Sequence, residues 1–147
     1  MSERTTLRVC TDANFVLKLV VKEDGSQRVR DLWTSWTSND VEVVAPSLLW
    51  YESTATLRKH VYRGTLSQRE AEEALSALFR LRLSTVYSAD MHRVAWEMAT
   101  RLGEPTAYDA HYLAVAQQFG CPFWTADKRL YHAARSLLPD THLIRAG

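Results

Sequence analysis

Apolar positions along the chain switch repeatedly between strand-like runs and helical spacing. Leu7-Arg8-Val9-Cys10-Thr11 is a short apolar run of strand length, and residues 14–21 turn helical directly after it. A polar break, Lys22-Glu23-Asp24-Gly25-Ser26, separates these from a helix over about 27–37, where Val29, Leu32, Trp33 and Trp36 recur at helical spacing. Residues 41–45 form a second strand. Pro46 suits the first turn of a helix, which continues over 47–62 and ends at Gly64. Ser67 with Glu70 is a capping-box signature for a helix reaching about Arg80. A third strand covers 83–87. Ser88 or Asp90 then caps a helix over 91–102, stopped by Gly103 and Pro105. Asp109 opens an apolar, Ala-rich helix that runs to Phe119 and stops at Gly120. Behind it come the apolar run Phe123-Trp124-Thr125, a short helix over 128–136 and a last strand over 141–144.

Strands alternating with helices from end to end predict an α/β domain with a central parallel sheet covered on both faces. Residues 7–11 are expected at its centre, with 123–125 beside them. No repeat or linker interrupts the pattern, so residues 1–147 are expected to form a single domain.

Composition narrows the function classes. Charged residues make up 24% and apolar ones 46%, an ordinary globular balance, and the formal charge of +1 gives no global basic field. A nucleic-acid site would have to arrange its charge locally. Cys10 and Cys121 lie in apolar runs without metal-ligand spacing and are expected as free buried thiols in a reducing compartment. Residues 1–6 have no apolar segment resembling a leader, and no stretch approaches the ~20 apolar residues of a membrane span. A soluble, cytoplasmic protein is the expectation. His60, His92, His111, His132 and His142 are scattered over separate elements, which supports neither a zinc site nor a nucleophile triad. There is no G-x-G-x-x-G, Walker A or G-x-S-x-G motif.

The acids carry more. Asp12 and Asp127 each stand just past a strand, where ligands of open parallel sheets bind. Asp109 sits in a first helical turn, and Glu52 interrupts the apolar stretch Ser47-Leu48-Leu49-Trp50-Tyr51. Taken singly, Asp109 and Asp127 could be helix-start residues, and Glu52 a solvated residue with Thr56 at i+4. Taken together, Asp12, Glu52, Asp109 and Asp127 can meet in one pocket, with no balancing arginine evident nearby in sequence. Crowded carboxylates need a cation, and oxygen ligands alone point to Mg²⁺ or Mn²⁺.

Thr11-Asp12-Ala13-Asn14, Ser47-Leu48-Leu49-Trp50-Tyr51-Glu52, Tyr108-Asp109-Ala110-His111-Tyr112-Leu113-Ala114 and Trp124-Thr125-Ala126-Asp127 resemble, in order, the four motifs of a PIN domain of the VapC toxin type. The likeness runs from about Leu7 to Ile144. It implies a three-layer α/β/α domain and a Mg²⁺- or Mn²⁺-dependent endoribonuclease, the toxin of a type II toxin–antitoxin pair. Asp12, Glu52, Asp109 and Asp127 match the catalytic, metal-binding acids, Thr125 matches the hydroxyl beside the last one, and Asn14 lies at a small polar position. Many members carry a further acid where Arg129 stands, so a fifth carboxylate is missing here. Asn14, Thr125, Lys128 and Arg129 are candidate substrate contacts, and Arg58, Lys59 and Arg63 candidate holders of an RNA backbone. An antitoxin and a homodimer are the expected partners, with the apolar face between Val16 and Trp36 a candidate contact. The alternative is a non-catalytic binding or assembly module of the same fold. A different Mg²⁺ enzyme, such as a phosphatase, is disfavoured because no D-x-D pair follows the first strand.

Overall fold

The computed structural model describes residues 6–145, so most of the N-terminal segment expected to lack a leader lies outside the described residues. Five strands run β1 (Arg8–Thr11), β2 (Glu42–Pro46), β3 (Ser84–Val86), β4 (Phe123–Thr125) and β5 (Thr141–Leu143). The helices are α1 (Ala13–Val20), α2 (Ser26–Ser38), α3 (Leu48–Tyr62), α4 (Gln68–Phe79), α5 (Ala89–Leu102), α6 (Tyr108–Phe119) and α7 (Lys128–Ala134). The sheet order is β3-β2-β1-β4-β5, parallel throughout. β1 lies at the centre, with Thr11 in register with Trp124 of β4. The chain steps from β1 to β2 and β3 on one side, then returns to build β4 and β5 on the other. That reversal puts a topological switch point, where ligands of open parallel sheets bind, at the carboxyl ends of β1 and β4.

Helices α1 to α4 pack on one another, while α6 lies across β1, β2 and β4 and carries α5 on its back. Because α6 is sandwiched in this way, it is apolar almost all round: Ala110 and Tyr112 through Ala116 are buried. Gly120 ends it in the left-handed region at φ 58°, a conformation that would strain a side chain. The Ser67–Glu70 capping box forms, and Ser88, rather than Asp90, caps α5.

Three expectations change. Pro46 ends β2 instead of opening α3: it pairs with Val86, beyond the last β1–β2 pair at Cys10–Val44. A proline at the end of a strand forfeits little of the ladder, which is why the sheet can hold it. The apolar face between Val16 and Trp36 is mostly core: Val16, Val29 and Trp36 are buried, and Trp36 stacks on Phe15 at 5.5 Å and meets Trp124 at 6.1 Å. Cys10 is buried but Cys121 only partly, and both are free. Among the described residues no helix is long and apolar enough to cross a membrane.

Candidate active site

Asp12 follows β1 directly and caps α1. Its Oδ1 accepts the Phe15 backbone N–H at 2.9 Å, and its Oδ2 accepts the Thr125 hydroxyl proton. The residue is only 5% exposed. Burial is the main cause that pushes its pKa from 3.8 up to about 7; the two hydrogen bonds oppose the rise, and the Asp127 and Asp109 charges add to it. Thr125, on the neighbouring strand, also accepts the Asp127 backbone N–H at 2.9 Å, so one buried hydroxyl ties both acids to the sheet edge.

Asp127 caps α7 through Oδ1, which accepts the Leu130 N–H at 3.1 Å. Capping explains its conformation and leaves its other oxygen without a hydrogen bond among the described residues. Asp109, in the first turn of α6, accepts from Arg129 at 2.9 Å, and the same guanidinium donates to Glu104 at 2.6 Å. Burial raises the Asp109 pKa, Arg129 lowers it, and Asp127 and Glu104 raise it. Glu52 on α3 accepts the Tyr112 hydroxyl proton at 2.6 Å. Burial raises its pKa too, opposed by Tyr112, and the Asp109 charge adds to the rise.

The three aspartates therefore repel one another's charge and Glu52 is coupled to Asp109, so all four candidate acids gather at the carboxyl end of the sheet. Each also has a partner within the protein. Among the described residues no three His, Cys, Asp or Glu side chains close around a point tightly enough to hold an ion as they stand. Their chemistry nevertheless fits a hard divalent cation. The donors are all oxygen, neighbouring charges push the pKa of Asp12, Asp109 and Glu52 up, and Arg129 is the only cation paired with any of the four among the described residues.

Arg129 corrects the expectation that no arginine balances these acids: it arrives from α7, 20 residues beyond Asp109. Arg129 donates to two carboxylates while its side chain stays 59% exposed. Thr125 is fully buried, with its hydroxyl committed to Asp12 and Asp127. Asn14 and Lys128 are exposed, as are Arg58 and Lys59 on α3 and Arg63 at its C-cap. Lys128 lines a cleft of about 570 Å³ with His132 and Arg145, beyond the ends of β4 and β5. Thr56 is not the partner of Glu52. That partner, Tyr112, was missed although it lies three residues after Asp109, on the same helical face. Glu104 has no sequence signal, since its partner is 25 residues away.

Fold and site together define an α/β/α domain whose oxygen donors at the carboxyl end of the sheet suit a hard cation. The PIN domain profile matches residues 9–136. The chain is 30% identical over 126 residues to Ribonuclease VapC3 of Pyrobaculum aerophilum, covering 84% of this chain and 92% of that protein. In structure it is similar to Mycobacterium tuberculosis VapC20, a toxin that cleaves the sarcin–ricin loop, at a TM-score of 0.62 and 21% identity over 85% of this chain and 94% of that one. It is also similar to VapBC2 of Rickettsia felis, solved with a promoter DNA fragment, at 0.62 and 15% identity over 93% and 97%. The chain belongs to the PIN-domain family.

Proposed function

We propose that this chain is a Mg²⁺- or Mn²⁺-dependent endoribonuclease and the toxin of a type II toxin–antitoxin pair. The observation that carries this is the gathering of Asp12, Glu52, Asp109 and Asp127 at the sheet switch point with a single paired arginine. The VapC ribonucleases among its relatives support the same substrate class. Asp12, Glu52, Asp109 and Asp127 would hold the cation. When bound, it would lower the pKa of water enough for attack at neutral pH and offset charge growing on the phosphate oxygens. Thr125 orients the Asp12 carboxylate, Tyr112 orients Glu52, and Arg129 pairs with Asp109. Lys128, with His132 and Arg145 in the adjoining cleft, holds the RNA backbone, and Asn14 lies exposed at the start of α1.

The chain forms a single domain over 1–147 and works in the cytoplasm as a homodimer with a cognate antitoxin. Sedimentation of the purified protein tests the dimer, and co-purification with the product of the adjacent reading frame tests the antitoxin. For the activity, single-stranded RNA is incubated with the protein in Mg²⁺, in Mn²⁺ and in chelator. Cleavage is expected with metal only and is lost in Asp12→Asn. Intact RNA under all conditions, with no stabilisation of the protein by metal, would instead make it a non-catalytic binding module.

A further inference from the structure

The exposed side chains of α3 include no acid, and Arg58, Lys59 and Arg63 at its C-terminal end have no carboxylate partner among the described residues. Cations on the neighbouring helices are matched on their own helix: Arg69 of α4 by Glu73 at 3.1 Å, and Arg93 of α5 by Asp90 at 3.4 Å. On α3, Lys59 and Arg63 stand one turn apart and repel each other. Cations favour a helix C-terminus, which accounts for Lys59 in the last turn but not for Arg58 before it. The same face carries Tyr62 and Tyr51, 83% and 74% exposed, more than any other large apolar side chain among the described residues. Tyr51 also walls a small apolar pocket with Tyr87 and Tyr108; Tyr62 stands clear of it.

Helical spacing orders these side chains. Tyr51, Ala55, Arg58 and Tyr62 recur at i, i+4, i+7 and i+11 and form one row along α3. Glu52, Thr56, Lys59 and Arg63 form the row beside it. That second row starts at a candidate metal-binding acid and ends about 16 Å along the helix in cations. α3 leaves the sheet after β2, on one side of β1, while the cleft lined by Lys128, His132 and Arg145 lies beyond β4 and β5 on the other. The four acids therefore stand between two basic stretches, although the whole chain carries only +1.

We infer that the outer face of α3 is a track for single-stranded RNA leading to Glu52, with phosphates over Arg58, Lys59 and Arg63 and one unstacked base on the Tyr62 ring. This rests on the ribonuclease reading above. A polyanion matches three charges that the protein does not neutralise, and an exposed ring among cations takes a base of any sequence by stacking. Duplex RNA hides its base faces, so the ring selects for single strands. A second copy docked face to face on this surface would set the same cations against themselves. An acidic protein segment would satisfy the charges, but only a strand cut at the acids gives the cation row a reason to begin at Glu52.

The test is binding of a fluorescently labelled single-stranded RNA to the full chain in chelator, where the RNA stays intact, over a series of salt concentrations. The parent is compared with the triple change Arg58→Gln, Lys59→Gln and Arg63→Gln, with Arg58→Lys plus Arg63→Lys, and with Tyr62→Ala. All four side chains are exposed, so the fold tolerates the changes, and the Mn²⁺-dependent rise in Tm should equal the parent's. Loss of three phosphate contacts should flatten the slope of log affinity against log salt by about 2, and the lysine pair should keep the parent's slope. Tyr62→Ala should keep the slope as well but bind roughly tenfold more weakly, the size of one lost base–aromatic stack, and a strand of abasic residues should bind it and the parent alike. An unchanged slope in the triple variant, or Tyr62→Ala binding as the parent does, overturns the track, while metal-dependent cutting by the parent keeps the ribonuclease. An unchanged slope together with loss of a dimer or of a co-purifying antitoxin overturns it in favour of a protein contact. RNA that binds as expected and is never cut keeps the track and overturns the ribonuclease; no binding and no cutting by the parent overturns both.

Discussion

Replacing Asp12 by asparagine separates a carboxylate placed for metal from one placed for structure. In the folded protein Asp12 holds its proton up to about pH 7, against 3.8 ordinarily. Between those values the folded state binds more protons than the unfolded one, so stability falls as pH rises through that window and stays low above it. The difference corresponds to about 4 kcal/mol at full ionisation, an upper bound for a group this buried. In Asp12→Asn the side-chain amide keeps an acceptor for the Phe15 N–H and a polar group toward Thr125, but has no charge to bury. The metal-free variant should match the parent near pH 4 and exceed it at pH 8 by up to about 4 kcal/mol. At about 2–4 °C per kcal/mol for a domain of this size, the gain is easily resolved in thermal melts in chelator. Added Mg²⁺ or Mn²⁺ should raise the parent's Tm and the variant's less, since metal relieves a repulsion that the variant lacks. RNA cleavage should be abolished. A variant that melts below the parent at pH 8 by about 1 kcal/mol, the worth of a helix cap, and gains equally from metal would refute this account.

Tyr112→Phe removes a hydrogen bond from a buried phenol to a carboxylate and should cost about 2 kcal/mol in urea titrations. It should also push the Glu52 pKa further up, moving the acidic limb of the cleavage pH profile to higher pH; an unmoved limb would mean that Glu52 is not needed ionised. Arg129→Ala should change stability by less than about 1 kcal/mol, because its side chain is largely exposed. The same change frees Asp109 and removes a competing cation, so calorimetry should find Mn²⁺ binding several-fold tighter, and unchanged or weaker binding would place the metal away from Asp109. His111→Ala should leave the metal-dependent rise in Tm unaltered, since its ring is tied to Ala107 and His92 and not to any acid; loss of that rise would make it part of the metal site.

Much of the architecture was legible in order along the chain, because its determinants are local. Gly120, the Ser67–Glu70 box and the spacing of Val29, Leu32 and Trp36 each act within one or two turns, and a strand–helix alternation has few ways to pack. Asp12 and Asp127 were readable as strand-end acids for the same reason. Local patterns could not say where each partner would come from. Arg129 balances Asp109 across 20 residues, Tyr112 reaches Glu52 across 60, and Thr125 grips Asp12 across 113. Pro46 carried a helix-start signal that its pairing with Val86 overrode. Val16 and Trp36, which could have formed a contact surface, were consumed by the core once α2 folded onto Phe15 and Trp124. What the sequence by itself determined was the set of elements and the acids at their ends. Only the tertiary structure decided which charges are paired, which are buried and which rings line a pocket, because those follow from distances between segments far apart in the chain.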